Sequence, residues 1–240
     1  MDFVEVFSSI QGEGKYVGYR QVFVRLAGCN MACAYCDTPA SRRAEPAGRV
    51  ERTPGGRDFF AAANPVTPVV LAGHVNNLLR SPHHSVSLTG GEPLCQAAAV
   101  AELAPLLAGR VYLETNGTLP DELSCVLPHV DVIAMDIKLP STSGREWWDE
   151  HRRFLRAAAA RDLFVKVVLT AATGDDEFRQ AIGLMAAVDR RIPVVLQPVS
   201  PVHNVTGIAP EAVLRLVALA LADLDDVRVI PQTHKMMGQL

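Results

Sequence analysis

Residues 28–38 read GCNMACAYCDT, and this stretch decides the fold. It carries Cys29, Cys33 and Cys36 at the spacing C-x3-C-x2-C. Such short gaps do not share one regular helix face, so the spacing predicts a loop wrapped around a metal group. An iron–sulfur cluster held by only three thiolates keeps one iron open to an exchangeable ligand, whereas structural zinc normally has four ligands. The motif therefore indicates a site that carries out chemistry.

Other uses of these cysteines must be weighed. A zinc site could be completed by Cys95 or by a histidine. A disulfide framework is disfavoured because Cys95 and Cys125 are isolated and the chain has an odd number of cysteines, five. The N-terminus MDFVEVFSSIQGEG has early acidic residues and no long apolar core, so we expect no secretory segment and a cytoplasmic, reducing compartment.

Composition limits the class of protein. The chain has 240 residues, of which 49% are hydrophobic, and this suits a single globular domain over residues 1–240. The most apolar stretch, VLRLVALALADL at 213–224, is interrupted by Arg215 and Asp223, so we expect no membrane span. A net charge of −3 with scattered basic residues argues against nucleic-acid binding, so a small molecule is the expected substrate.

Short β-rich runs alternate with helical patterns after the cysteine loop. Predicted strands lie at 21–26, 85–88, 110–113, 130–135, 164–169, 193–196 and 227–230, and predicted helices at 66–80, 96–108, 120–127, 146–161, 176–190 and 210–222. This order predicts an α/β fold with right-handed βαβ units and a parallel sheet buried on both faces. Roughly six or seven such units predict an open or partial barrel instead of a complete eight-unit one.

The segment 39–68 breaks this alternation. It is rich in Arg, Ala, Gly and Pro, contains PGGR at 54–57, and has at most one short helical piece near 58–63. We interpret it as a long excursion from the cysteine loop. Two hypotheses remain open: a lid that folds over the site, or a variable loop without a role.

Polar motifs follow several predicted strands: TGGEP at 89–93, ETNGT at 114–118, DIKLPS at 136–141 and QPVS at 197–200, while Lys166 lies within a strand. Ligands of parallel α/β folds bind at the carboxyl ends of the strands. The glycines of TGGEP would let the backbone approach a ligand closely, and Glu92 lies near a helix start. Each motif alone is most often a turn or a helix cap, but together they indicate one functional rim.

Seven motifs span residues 9 to 235: SIQGEG (9–14), GCNMACAYCDT (28–38), TGGEPL (89–94), ETNGT (114–118), DIKLPS (136–141), LQPVS (196–200) and PQTHK (231–235). As a set, they resemble the 7-carboxy-7-deazaguanine synthases, radical S-adenosylmethionine (SAM) enzymes of queuosine and deazapurine biosynthesis. The cysteine motif and GGEP are shared widely across radical SAM proteins. SIQGEG with CDT and the terminal QTHK are much more specific motifs, so they carry the resemblance to this family.

The resemblance implies a partial, modified (β/α)6-type radical SAM barrel with a long insertion after the cluster loop, assembled as a homodimer. It implies a lyase that converts 6-carboxy-5,6,7,8-tetrahydropterin into 7-carboxy-7-deazaguanine and ammonia. The cofactors would be a [4Fe-4S] cluster, SAM and Mg²⁺, with an electron donor such as flavodoxin or ferredoxin. Reductive cleavage of SAM would yield methionine and a 5′-deoxyadenosyl radical, which takes hydrogen from C6 before the ring contracts.

The resemblance also implies residue roles. The cluster ligands would be Cys29, Cys33 and Cys36, and the Mg²⁺ ligand Thr38, whose hydroxyl is a suitable hard oxygen donor. SAM would contact Tyr35, Asp37, Gly91, Glu92, Lys138, Ser141, Thr142, Gln197, Pro198, Val199 and Ser200. The substrate would contact Ile10, Gln11, Gly12, Arg25, Thr89, Gln232 and the C-terminal Leu240.

Three residues are candidate catalytic groups. Arg25 can pair bidentately with the carboxylate of the substrate, because its guanidinium is a planar fork of donors. Glu114 and His234 are candidates for proton movement, although a purely structural histidine is equally compatible with the sequence.

Two rival classes share part of this pattern. A radical SAM activase acting on a protein partner would share the cluster and SAM, but SIQGEG, Arg25 and Thr89 favour a small ligand. A non-enzymatic metal-binding module would share only the cysteines and would leave the rim motifs unexplained.

Overall fold

The structure is a computed structural model that describes residues 1–202 and 205–239. Its strands are β1 (Phe3–Ile10), β2 (Arg20–Leu26), β3 (Ala47–Glu51), β4 (Phe59–Ala63), β5 (Ser85–Gly90), β6 (Val111–Thr115), β7 (Val132–Ile137), β8 (Asp162–Leu169), β9 (Val194–Pro198) and β10 (Val227–Val229). Its helices are α1 (Pro68–Leu78), α2 (Ala97–Leu103), α3 (Pro120–Val126), α4 (Pro140–Ser143), α5 (Trp148–Ala158), α6 (Asp175–Ala186), α7 (Pro210–Leu221) and α8 (Thr233–Met236).

The strands form a single sheet in the order β10-β9-β8-β7-β6-β5-β2-β1-β3-β4. From β2 through β5 to β10 every neighbouring pair is parallel, so each βαβ crossover moves one strand further along the sheet. Within residues 1–202 and 205–239, no pairing joins β10 to β4. The sheet is therefore open, which confirms the predicted α/β fold with an incomplete barrel.

The two faces of the parallel sheet carry different side chains. On β2, Val22, Val24 and Leu26 belong to the main hydrophobic core, whereas Phe23 and Arg25 line a cavity on the opposite face. The other parallel strands alternate in the same way, because successive side chains of a strand point to opposite faces. The sheet is buried on both faces, as expected, but one face packs on helices and the other lines a cavity.

The crossover helices α1, α2, α3, α5, α6 and α7 lie side by side on the apolar face, where consecutive ones contact one another. In α5, the buried residues Trp148, His151, Phe154, Leu155 and Ala158 recur at helical spacing and form one buried stripe. Acidic residues in its first turn and Arg156 in its last turn suit the helix dipole. In the described part of the chain, no helix is long and apolar enough to cross a membrane.

The segment 39–68 differs from its prediction. The short helical piece predicted near 58–63 is wrong, because residues 59–63 form β4, paired antiparallel with β3. Its alanines favour helix, but ladder pairing and the packing of Phe59 and Phe60 under Arg49 and Arg52 override that propensity. The hairpin extends the sheet beside β1, a strand that the sequence analysis also missed.

Candidate active site

A cavity of about 440 Å³ opens on the face opposite the helices, around the carboxyl ends of the parallel strands. It is the size of a small-molecule site. The predicted site residues that line it are Ile10, Gln11, Gly12, Arg25, Cys29, Cys33, Tyr35, Cys36, Asp37, Thr38, Thr89, Gly91, Glu92, Glu114, Lys138, Gln197, Val199, Gln232 and His234. No residue from 39 to 68, a fully described segment, lines this cavity.

Some predicted contacts are not among the lining residues: Ser141, Thr142, Pro198 and Ser200. Gln197 and Val199 line the cavity while Pro198 between them does not, since side chains alternate along extended backbone. Thr142 instead supports the cysteine loop, because its carbonyl accepts the N–H of Ala34 at 3.0 Å. The predicted contact at Leu240 lies outside the described residues.

The cysteine loop brings three free thiols to the mouth of the cavity. Burial raises the pKa of Cys29 and of Cys33 above the ordinary thiol value. A thiolate at these positions therefore requires a metal or another positive partner. The Lys138 ammonium partly opposes the rise at both thiols.

The glycines of TGGEP serve a different purpose from the one expected. A Cβ on Gly91 would lie 2.1 Å from the carbonyl oxygen of Gly28, and a Cβ on Gly90 would lie 2.2 Å from that of Leu26. The missing side chains thus allow the end of β5 to pack on the backbone leading into the cysteine loop. The N–H of Glu92 completes this junction by donating to the Gly28 carbonyl at 2.8 Å.

Glu92 is a fully buried carboxylate beside this junction. Its oxygens accept hydrogen bonds from the N–H of Leu94 at 3.0 Å, the hydroxyl of Thr115 at 2.9 Å and the N–H of Asn116 at 2.7 Å. Burial raises its pKa to about 6, although these donors favour the ionised form. Glu92 is therefore suited to an ammonium group and sensitive to mildly acidic pH.

A chain of alternating charges runs across the cavity. Lys166 donates to Glu13 at 2.6 Å and approaches Asp136 at 3.4 Å, while Lys138 donates to Asp136 at 2.7 Å and to the Tyr35 hydroxyl at 3.2 Å. Burial alone would raise the pKa of Glu13, but Lys166 lowers it to about 2. Burial would likewise lower the pKa of Lys138, but Asp136 raises it well above its ordinary value.

The sequence analysis did not assign roles to Glu13 and Lys166. A signal for each was present, since Glu13 lies within SIQGEG and Lys166 interrupts an apolar strand. Two buried acceptors in the cavity wall, Asp136 Oδ1 and Gln197 Oε1, have no hydrogen-bond partner within the described residues. Unpaired buried acceptors of this kind fit donors supplied by a ligand.

Glu114, another residue of the cavity wall, is held by three neutral donors. Gln11 Nε2 lies 2.8 Å, Ser87 Oγ 2.9 Å and Thr89 Oγ1 2.8 Å from its carboxylate oxygens. Arg25 also lines the cavity, and its Nε donates to Glu5 at 2.8 Å. The cavity wall therefore presents an arginine and a hydrogen-bonded carboxylate, side chains suited to a polar heterocycle with a carboxylate.

The C-terminal segment closes one wall of the cavity. Gln232 donates to Glu13 at 2.7 Å and to Asp37 at 3.2 Å, which links this segment to SIQGEG and to CDT. A Cβ on Gly12 would lie 2.1 Å from Nδ1 of His234, so any side chain there would displace this histidine. Potential ligand atoms of Glu13, Asp37 and His234 lie within 4.8 Å of one another.

The residues fit an iron–sulfur cluster with SAM beside it. Three thiols share one loop at the cavity mouth, which matches a cluster with one open iron. The adjacent cavity wall offers the Glu92 carboxylate for an ammonium group and the unpaired oxygens of Asp136 and Gln197 for hydroxyl or amino donors.

The fold and this site define a radical SAM protein, and the family model described as the Radical SAM superfamily matches residues 24–220. A 7-carboxy-7-deazaguanine synthase of Geobacter sulfurreducens is 49% identical, over 98% of this chain and 96% of the relative. One of Methanothermobacter thermautotrophicus is 35% identical over the same shares. The chain belongs to the 7-carboxy-7-deazaguanine synthase family of the radical SAM superfamily.

Solved structures support the fold. The crystal structure of QueE from Escherichia coli superposes with a TM-score of 0.62 at 19% identity, over 96% of this chain and 92% of that one. A radical SAM methyltransferase from Sphaerobacter thermophilus gives a TM-score of 0.58 at 17% identity, over 89% and 70%. At these identities the comparison concerns fold alone. The names of the sequence relatives do not favour the activase alternative.

Proposed function

We propose that the protein is a lyase that converts 6-carboxy-5,6,7,8-tetrahydropterin into 7-carboxy-7-deazaguanine and ammonia. The observation that carries this proposal is a single cavity lined both by the three thiols and by Arg25 and Glu114. The synthase name of a relative 49% identical over nearly its whole length supports the same activity. The product serves queuosine or another deazapurine pathway.

Cys29, Cys33 and Cys36 hold the [4Fe-4S] cluster in this proposal. Glu92 binds the ammonium group of SAM, and Lys138 and Gln197 contact the rest of the molecule. When bound, the cluster and SAM supply the one-electron chemistry that starts hydrogen abstraction at C6 of the substrate. The protein orients C6 toward that chemistry and excludes water from it.

The substrate end of the cavity binds and orients the pterin. Arg25 pairs with the carboxylate at C6, which fixes the position of the reacting carbon. Gln11, Thr89 and Glu114 exchange hydrogen bonds with the ring. Glu114 and His234 hold or move protons at ring nitrogens as ammonia leaves, and Gln232 contacts the substrate from the C-terminal segment.

Magnesium would bind at Thr38, whose hydroxyl lies in the cavity wall beside Asp37. Mg²⁺ prefers oxygen ligands and keeps waters or substrate oxygens in its coordination sphere. Thr38→Val should remove most of the Mg²⁺ stimulation of turnover while the visible absorbance of the cluster persists. Thr38→Ser, which keeps a hydroxyl, is the matched control. Unchanged stimulation in Thr38→Val would contradict this role.

Partners and location complete the proposal. A cytoplasmic electron donor such as flavodoxin or ferredoxin reduces the cluster. A surface depression beside the cluster loop, lined by Cys33, Cys36 and Arg42, supports an approach from that side. The enzyme acts as a homodimer. The test is its molar mass, measured by light scattering as the protein elutes from a gel-filtration column. A monomer at micromolar concentration would contradict the dimer.

The activity is tested by anaerobic reconstitution with iron and sulfide, followed by chromatography of the SAM cleavage products with and without carboxypterin. We expect carboxypterin-dependent turnover and a product with the ultraviolet spectrum of a deazaguanine. Cleavage of SAM without conversion of the pterin would contradict this proposal and favour the activase hypothesis.

A further inference from the structure

Three charged side chains lie in one row across adjacent strands. Glu5 of β1 is the register partner of Arg25 on β2 and of Arg49 on β3. Cross-strand partners face the same side of a sheet, so a positive, a negative and a positive side chain stand next to one another. Arg49 belongs to the β3–β4 hairpin, within the segment 39–68 for which the sequence left open a lid or a variable loop without a role.

Glu5 divides its carboxylate between the two arginines. Its Oε1 accepts the Nε of Arg25 at 2.8 Å, and its Oε2 accepts the Nε and Nη2 of Arg49 at 2.8 and 2.5 Å. The side chains of Glu5 and Arg25 are only 10% and 17% exposed, whereas that of Arg49 is 50% exposed. Arg49 therefore has the two-pronged contact, and Arg25 has a single one.

The guanidinium of Arg25 uses only its Nε in the contact with Glu5, so its terminal nitrogens are left for other contacts. Its two terminal nitrogens have no hydrogen-bond partner in the described chain, and the residue lines the cavity. The three side chains carry a net charge of +1. Because Arg49 already balances Glu5, the remaining positive charge belongs to Arg25 at the cavity wall.

We propose that Arg49 is a positioning residue for substrate recognition. By holding Oε2 of Glu5, it prevents Glu5 from pairing with Arg25 through both oxygens, and so leaves Arg25 charged and oriented toward an anionic group in the cavity. Without Arg49, Glu5 competes with the carboxylate of the substrate for the same guanidinium. This inference rests on the proposed binding of that carboxylate by Arg25.

The hairpin offers a matched control in Arg52. The guanidinium of Arg49 lies 4.4 Å from the centroid of Phe59, and that of Arg52 lies 4.6 Å from the centroid of Phe60. The two arginines therefore share a stacking contact on β4, but only Arg49 reaches Glu5. Arg49→Met and Arg52→Met therefore both lose a stacking contact, whereas only Arg49→Met loses the contact with Glu5.

The test is calorimetric titration of two ligands into the reconstituted, SAM-loaded protein under anaerobic conditions. One ligand is carboxytetrahydropterin and the other is tetrahydropterin without the carboxylate. Arg49→Met should raise the Kd of the carboxylated ligand about two- to fivefold, a modest change because Arg49 is half exposed. The Kd of the other ligand should stay unchanged, and Arg52→Met should alter neither.

A second-site change gives the decisive result. Glu5→Gln in the Arg49→Met background removes the competing charge, so the affinity for the carboxylated ligand should return to within about twofold of wild type. Arg49→Lys, which keeps the positive charge, should retain near wild-type affinity. If Arg49 has a merely structural role, the double variant should show no such recovery. In that case the melting temperature of the double variant should also be lower than that of Arg49→Met.

The outcomes separate this inference from the function on which it rests. If Arg25→Ala binds the carboxylated ligand like wild type, the proposed role of Arg25 is wrong. If Arg25→Ala weakens binding but Arg49→Met does not, or if both ligands weaken equally, the role of Arg49 is overturned. Failure of Glu5→Gln to restore affinity also overturns it.

Discussion

The residues proposed to hold the cluster, here called the cluster end, and those proposed to bind the substrate, here called the substrate end, are built in different ways. The cluster end consists mainly of loops and backbone groups from short contiguous motifs, with Gly90 and Gly91 packed on the start of the cysteine loop. The substrate end includes strand side chains from residues far apart in sequence, such as Arg25, Thr89 and Glu114, with Glu5 holding Arg25 from behind the cavity wall. In the proposed function, the residues that hold the cluster thus come from local motifs, while those that recognise the substrate depend on assembly of the sheet.

This difference predicts that changes at one end leave binding at the other end intact. At the cluster end, substitution of Gly90 or Gly91 should not be tolerated, because an added Cβ would clash with the backbone of another segment. Side chains at the substrate end can be changed one at a time without disturbing the loop that holds the cluster.

The largest effect is expected at the cluster end. Cys33→Ala should abolish SAM cleavage, because loss of one thiolate leaves a second iron without its protein ligand and destabilises the cluster. Cys125→Ala, which removes an exposed thiol away from the motif, should retain wild-type activity. Chromatography of 5′-deoxyadenosine measures both, and wild-type cleavage by Cys33→Ala would contradict the cluster assignment.

The second largest effect is expected from Arg25→Ala at the substrate end. Removal of a mostly buried arginine opposite a carboxylate should cost about 2–5 kcal/mol of substrate binding. Arg25→Lys should recover only part of this, because a point charge lacks the two-pronged geometry. Titration of SAM into the same variants should give wild-type affinity, and a parallel loss of SAM binding would show that the ends are coupled.

The pH dependence of SAM affinity distinguishes the ends further. The pKa of Glu92 is about 6, so the carboxylate is ionised above that pH and becomes protonated below it. SAM affinity should therefore fall as the pH drops through 6, approaching about tenfold per pH unit below it. Arg25→Ala should keep this profile because Arg25 pairs with Glu5, whereas Glu92 is held by Leu94, Thr115 and Asn116. A flat profile between pH 5 and 7 would exclude Glu92 as the partner of the ammonium group.

The smallest effect concerns the turn between β3 and β4. Arg57 has a left-handed backbone, φ 56°, and its Nη2 donates to the carbonyl of Gly238 at 2.6 Å. Both Arg57→Gly and Arg57→Ala should speed amide exchange in residues 233–239, with substrate affinity changed by about twofold or less. Arg57→Gly should be about 1 kcal/mol more stable than Arg57→Ala, since glycine adopts this conformation without strain. Exchange rates equal to wild type would show that this contact does not hold the C-terminal segment.

Much of the parallel sheet could be predicted, because each strand is a short apolar run followed by turn residues. The strands β1, β3 and β4 were not predicted, and in β4 the residues Ala61 to Ala63 favour helix in the absence of their pairing with β3. The charged pair of Glu13 and Lys166 was present in the sequence, but its residues are 153 positions apart. No local pattern connects them.

The sequence by itself determined the cysteine loop, the alternation of strands and helices from β5 to β10, and the polar rim at the carboxyl ends of the strands. These depend on spacing, periodicity and turn chemistry, which act over a few residues. Only the tertiary structure decided that Glu5 lies between Arg25 and Arg49 and that Gly90 and Gly91 pack against backbone. The register between strands distant in sequence fixes such contacts, and register is a property of the assembled sheet.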